Sequence, residues 1–323
     1  MPSLCQDSCI CSSMNRRIRT RLSHIDWLFR QIPYIIKAND INCMLDTPAK
    51  ENRVNIYDYQ PMRYGYQMYQ DSPFNLGDAL GKVIVRFLLE KKGIDVDQWI
   101  PHKKHLFTVG SNIFGSSIKG NYQDATIWGS GILKEPLRHE AIAQRLSRRK
   151  LDIRAVRGPL SREVLLRFGH KCPEVYGDPA ILMPLFYQPK SEKKYKYNIV
   201  SQFVHEQEFH ETHPNERMIS MNTDNYKYVI DEIVSSELIF SSSLHGIILA
   251  ESYGVPAIFF RGLGKRIDFK YLDYYYSTGR TDIRISESFE EALNREPLPI
   301  PDLSELRQGL LDSFPYDLWD STV

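Results

Sequence analysis

From residue 53 onward the sequence alternates between two patterns: short apolar runs that stop at Gly or a polar residue, and longer stretches whose apolar residues recur at helical spacing. Such alternation implies βαβ units and parallel sheets, because buried parallel strands read as short continuous apolar runs while the crossover helices are amphipathic. In the first half, residues 54–59, 105–109, 125–128 and 153–156 read as strands, and residues 76–91, 136–150 and 160–168 as helices. Leu80, Ile84, Phe87 and Leu88 share one face of the first helix,. A polar, charged stretch at 188–196 then reads as a linker, and the pattern restarts,. Strands are expected at 197–203, 218–221, 238–241 and 257–260, with helices at 226–235, 244–253 and 268–276. The expectation is an α/β chain of two Rossmann-like, doubly wound domains at 44–187 and 197–285, preceded by a segment at 1–43 and followed by a mostly helical segment at 286–323. Ligands of such sheets bind beyond the carboxyl ends of the strands, here in the cleft between two domains.

Composition narrows the function classes. A formal net charge of +1 gives no reason to expect a nucleic-acid partner,. The five cysteines are odd in number and irregularly spaced, which argues against a disulfide framework and for a reducing cytoplasm,. Cys5, Cys9 and Cys11 lack a following Cys or His pair at zinc-site spacing, and no metal is expected,. No run of 18 apolar residues exists, so no transmembrane helix is expected,. Residues 14–37 are basic and amphipathic, with positions 18, 22, 25 and 29 apolar on one helical face. Such a helix can lie on the anionic inner face of a membrane, as a peripheral contact. The competing reading is a solvated helix on its own domain.

Five segments carry candidate chemistry. Ser241, Ser242 and Ser243 end an apolar strand and precede a helix beginning at Leu244, with His245 in its first turn. A helix N-terminus offers unpaired N–H groups and a positive dipole end to a phosphate or carboxylate, and a histidine there can bind an anion or move a proton. An N-cap serine followed by a partly buried histidine is the plain alternative. Asn75, Gly77 and Asp78 open the first long helix: Asn75 can cap it, Gly77 admits a ligand to the backbone, and Asp78 suits a general base or a charge at the helix start,. Gly129, Ser130 and Gly131 after a strand read as an anion-binding concavity or a tight turn,. The run is not G-x-G-x-x-G, so no NAD site is read. Arg157 at a strand end suits a carboxylate or phosphate, or is simply a surface arginine,. His205 closes the first strand of the second half and is expected to face the same cleft as His245, whereas Asp178 is expected only to fix a turn.

Taken in order, NLGD (75–78), WGSG (128–131), AVRGPLS (155–161), YGDPA (176–180), a strand ending at His205, SSLHGIILAESYGVPA (242–257) and FKYLDYY (269–275) resemble the polysaccharide pyruvyltransferase family. The resemblance implies a fold like GT-B glycosyltransferases. It also implies transfer of a pyruvyl group from phosphoenolpyruvate to a sugar of an exopolysaccharide, capsule or lipid-linked oligosaccharide precursor, with phosphoenolpyruvate as donor substrate and no further cofactor. The acceptor would be lipid-linked or nucleotide-linked. By resemblance, His245 binds the donor and is a candidate to protonate it, with Ser242, Ser243 and Leu244 beside it. Arg157 clamps the donor, His205 is a second catalytic histidine, and Asp78 is the candidate base. Many members carry arginine where this chain has Ser243, which leaves Arg261 or Lys270 to supply that contact. The alternative is a GT-B glycosyltransferase using a nucleotide-sugar, which would need an acidic residue such as Glu251 to hold a ribose.

Overall fold

A computed structural model describes residues 53–58, 74–102, 104–113, 124–134, 149–190, 192–262 and 268–320. The basic segment at 14–37, the helix expected at 136–150 (apart from its last two residues) and four of the five cysteines lie outside them. The first sheet contains β1 (Val54–Tyr57), β2 (Lys104–Phe107), β3 (Asp124–Trp128) and β4 (Lys150–Ala155), all parallel and side by side in chain order. Helix α1 (Leu76–Glu90) connects β1 to β2 and buries Leu76, Leu80, Ile84, Val85, Leu88 and Leu89, as its spacing predicts,. Helix α2 (Pro159–Arg167) follows β4, with Pro159 in its first turn where a missing N–H costs nothing,. A parallel bridge between Val156 and Tyr176 then leads into a 3-10 helix, Pro179–Leu185.

The second sheet contains β5 (Asn198–Val200), β6 (Ile239–Ser241) and β7 (Ala257–Phe259), also parallel. The expected strand at 197–203 is shorter than its apolar pattern. It stops at Val200, and Phe203–His205 forms a 3-10 turn. Helices α3 (Glu206–Thr212), α4 (Tyr226–Val234), α5 (Leu244–Ser252) and α6 (Phe269–Ser277) accompany this sheet. The expected strand at 218–221 is a single bridge from Met218 to Ile199, on the side of β5 away from β6. The chain therefore leaves β5 in one direction and returns across it to β6, which makes the ends of β5 and β6 a topological switch point. This is the doubly wound pattern. In the first sheet, among the described residues, the strands run in order without reversal.

Two segments expected to lie outside the domains hydrogen-bond to the rest of the chain. In the stretch at 188–196, the Lys194 and Tyr195 N–H groups donate to the Ser235 carbonyl. The C-terminal segment passes α7 (Phe289–Ala292), then crosses to the first sheet through α8 (Ser304–Asp312) and a 3-10 turn, Tyr316–Trp319. There Trp128 donates its indole N–H to the Leu310 carbonyl at 2.9 Å, and Trp319 donates to Val96 at 3.1 Å. One apolar core is continuous from Leu80 and Trp128 through Leu182 to Ile247 and Tyr274, so the two sheets share it. No helix among the described residues is long and apolar enough to cross a membrane.

Candidate functional site

The N-termini of α1 and α5 meet at the boundary between the sheets. The first N–H of α1, on Leu76, donates to the Met221 carbonyl of the second half at 3.1 Å. The turn from β6 into α5 is built by its serines. The Ser241 hydroxyl donates to the Ser243 carbonyl at 2.8 Å and accepts the Ser243 N–H at 3.1 Å. The Ser242 hydroxyl accepts the Gln202 N–H, and its carbonyl accepts the Tyr271 hydroxyl at 2.6 Å. Gly246 lets this turn close on β5, since a Cβ there would lie 2.4 Å from Ser241 Oγ. Ser241 and Ser242 thus shape the turn from within the protein. Ser243 stands half-buried at the helix start, and Leu244 is buried beneath it.

His245 is held from two sides. Its ring lies against Gly77, where a Cβ would come within 1.9 Å of Nδ1. Gly77 is therefore required by close approach of the ring. On the other side, Nε2 faces Asp178 Oδ2 at 3.7 Å, and neither atom has a hydrogen-bond partner. The other Asp178 oxygen accepts the Ala180 N–H and caps the 3-10 helix. The His245 side chain is 12% exposed and Asp178 not at all. The next residue on α1, Asp78, is buried beside them. Burial pushes its carboxyl up to about 6, against the opposing influence of His245 and a hydrogen bond from Asn112, while Asp58 and Asp178 add to the rise. The loop after β2 makes room for this carboxyl: Gly110 has a φ of 100°, and a Cβ on it would lie 2.6 Å from Asp78 Oδ1. Lys270, at the start of α6, has its ammonium pushed down to about 8 by burial and by Arg157, with Asp78 pulling the other way. An acid tuned toward neutrality and an imidazole thus share one small volume where two helices begin, and Lys270 lies within electrostatic reach of that acid.

Arg157 is fully buried nearby and bridges the halves. It bonds Asp273 of α6 at 3.1 Å, Ser111 Oγ at 2.6 Å and the Ile132 carbonyl at 2.6 Å. Asp273 also accepts the Ser161 N–H and hydroxyl at 2.9 and 2.6 Å. The Gly129–Gly131 turn serves the same region. Gly129 and Gly131 donate their N–H groups to the Ala155 and Gly110 carbonyls, Ser130 Oγ donates to Gly110, and the missing side chain of Gly131 leaves space for the guanidinium.

A family model for polysaccharide pyruvyl transferase matches residues 75–262, more than half of the chain. The chain belongs to the polysaccharide pyruvyl transferase family. It is accordingly a transferase. An uncharacterised protein of Acanthamoeba polyphaga mimivirus is 28% identical over 221 residues, covering 65% of this chain and 72% of that protein. The crystal structure of a functionally uncharacterised protein from Klebsiella pneumoniae subsp. pneumoniae superposes with a TM-score of 0.45 at 12% identity, covering 74% of this chain and 93% of that one.

Within this pyruvyl transferase, the structure brings together His245, Asp78 and Gly77, all singled out by sequence, with Ser243 at the N-cap of α5 and Lys270 within electrostatic reach of Asp78. Asn75 is the N-cap of α1 but its side chain makes no cap bond; its carbonyl accepts the Ala79 N–H. His205 behaves differently. It sits on the 3-10 turn after β5, with Nδ1 3.5 Å from Glu208 of the following helix α3. Its neighbour Glu206 is the buried group: desolvation pushes that carboxyl up to about 7, although Ser220, Asn222 and the Met221 N–H all donate to it. Arg261 pairs with Asp268 and Glu287. Glu251, the acidic residue a nucleotide-sugar reading would need, is buried and accepts from Tyr274 and both Nη atoms of Arg280. Sequence reasoning missed Gly110, Asn112 and Asp273 and gave Asp178 only a turn. The run Gly110-Ser111-Asn112 after an apolar strand was the available signal for the first two.

Proposed function

We propose that this chain transfers a pyruvyl group from phosphoenolpyruvate to two hydroxyls of one sugar, closing a cyclic ketal on a polysaccharide or oligosaccharide precursor. The observation that carries the reading is the buried Asp78–His245–Asp178 cluster where the N-termini of α1 and α5 meet. The donor bears a carboxylate and a phosphate of about −1.5 to −2, so it needs cations and oriented N–H groups. His245, Lys270 and the two helix starts supply them. The reaction needs one proton on the donor's methylene carbon, which creates an oxocarbenium-like centre at the adjoining carbon. The first sugar hydroxyl attacks that carbon and yields its proton to a base. The second hydroxyl displaces phosphate, which leaves as the hydrogen phosphate ion carrying that hydroxyl's proton. Atoms and charge balance without a cofactor.

In this reading His245 handles the methylene proton and Asp78 receives the hydroxyl proton. A carboxyl tuned to about 6 can both accept and release a proton near neutrality, and such a group contributes roughly 10²–10⁴ in rate,. Lys270 takes the donor contact that relatives assign to the arginine at the Ser243 position. Arg157, held by Asp273, keeps the two halves in register beside the donor. His205, on the donor half, serves as the second catalytic histidine. The sheets form two Rossmann-like domains facing across a cleft in the GT-B manner, the first for acceptor and the second for donor. The basic segment at 14–37 gives peripheral contact with the membrane that carries a lipid-linked acceptor. Two measurements test the reading. Phosphoenolpyruvate should raise the melting temperature; stabilisation by a UDP-sugar with none by phosphoenolpyruvate sinks the reading. Incubation with phosphoenolpyruvate and a panel of lipid-linked and nucleotide-linked sugars should add the pyruvyl mass to at least one acceptor.

A further inference from the structure

We propose that Asp178 is the positioning residue for His245: its Oδ2 accepts the Nε2–H of the ring and fixes the tautomer in which Nδ1, on the α1 side, is the reacting nitrogen. Three observations carry this. First, His245 Nε2 and Asp178 Oδ2 are both buried, both without a partner, and face each other at 3.7 Å. Buried polar atoms are normally hydrogen-bonded, so two orphans facing each other mark a bond the fold is arranged to make. Closing the gap to the N–H···O range needs a movement of about 0.5–1 Å. Second, the carboxylate is held in place for this contact. Its Oδ1 accepts the Ala180 N–H at 3.1 Å, and the residue is fully buried at the head of the 3-10 helix. Third, the opposite edge of the ring is pressed against Gly77, beside Asp78, so the imidazole cannot swing away from Asp178 without leaving that pocket.

Which nitrogen of a neutral histidine carries the proton is set by the partner of the other nitrogen. A carboxylate accepting from Nε2 leaves the Nδ1 lone pair facing α1. There it can take up a proton and return it. Asp178 belongs to the first half of the chain and His245 to the second, so the oriented ring exists only when the halves are assembled. The role of the ring toward substrate rests on the pyruvyl-transfer reading; its tautomer does not.

The test uses the full-length protein. Two-bond ¹H–¹⁵N spectra recorded at about pH 8, where an ordinary histidine is neutral, report ring tautomers. His245→Gln identifies the His245 signals by their loss. The expected result is the Nε2–H tautomer in the wild type and the Nδ1–H tautomer in Asp178→Asn, whose NH2 would face Nε2 and donate to it. The asparagine oxygen can still accept from Ala180, so the cap and the melting temperature should be retained. In the same variant kcat should fall roughly 10²–10⁴-fold, as when a catalytic histidine loses its orienting carboxylate, with KM for phosphoenolpyruvate changed by no more than about threefold. An Nδ1–H tautomer in the wild type overturns the proposal, as does a tautomer or a kcat that Asp178→Asn leaves unchanged. If the variant does not fold, the wild-type spectrum alone decides. A wild type that transfers nothing from phosphoenolpyruvate defeats the pyruvyl-transfer reading, and the spectra still settle the tautomer.

Discussion

Two buried polar clusters join the halves of this chain, and they are built on opposite principles. At Arg157 and Asp273, the guanidinium has a carboxylate, a hydroxyl and a carbonyl, and the carboxylate has two further donors from Ser161. At Asp78, His245 and Asp178, buried atoms face each other without bonds, and one carboxyl is held far from its ordinary state. A satisfied network fixes a geometry. An unsatisfied one leaves its groups free to adjust, as Asp178 and His245 must to bond each other. The comparison separates the latch of the fold from the seat of the chemistry, although both clusters contain residues that sequence alone marks as functional.

The comparison can be broken in three ways. The largest effect is expected at the latch. Asp273→Ala strands a buried guanidinium, and loss of one partner from a buried pair costs about 3–5 kcal/mol, read as the midpoint shift in urea denaturation. Replacing both partners, with Arg157→Met and Asp273→Leu, should recover most of it; a single replacement that changes stability by under about 1 kcal/mol would remove the distinction between the clusters.

The second effect has the opposite sign. The folded-state carboxyl of Asp78 is raised to about 6 from 3.8, so the protonated form is the one the fold favours. The stability it contributes is fully present below pH 3.8 and is lost as pH rises through 6,. Asp78→Asn does not lose it. The variant should therefore gain on the wild type between those pH values, by up to about 3 kcal/mol at neutral pH, while transfer falls. Equal pH dependence in the two proteins would show that this carboxyl is not strained by burial.

The smallest change in stability is expected at Gly77. Alanine in place of a helical glycine ordinarily gains up to about 1 kcal/mol. Here the new methyl would meet the His245 ring at 1.9 Å. Gly77→Ala should leave the melting temperature nearly unchanged yet reduce transfer by roughly 10²-fold, the effect of misplacing a reacting group by about 1 Å. Full activity would mean that the ring need not lie against α1.

Much of this architecture is legible in the sequence because its signals are local. The apolar runs ending at Gly110 and Gly129 follow strands β2 and β3, and the apolar face of α1 is buried as its period predicts. His245 stands out because an apolar strand, three serines and a helix follow one another around it. The overlong strand at 197–203 arises because the apolar pattern continues into Phe203 and Val204, while Gln202 is turned away to bond Tyr271 and Ser242. What the sequence hides is made by contacts between distant segments. Arg157 reads as a ligand clamp until Asp273 of α6 is beside it, and Asp178 reads as a turn residue until α5 brings His245 to it. The crossing of the C-terminal segment back to Trp128 leaves no local trace.

The central claim is that His245 is the reacting histidine of a phosphoenolpyruvate-dependent transfer. The most direct test is ketal formation on one acceptor, followed by product mass, for the wild type and His245→Gln at matched folding by circular dichroism. The account predicts product from the wild type only when phosphoenolpyruvate is present, and a loss of roughly 10²–10⁴-fold in the variant. A His245→Gln protein as active as the wild type would contradict it.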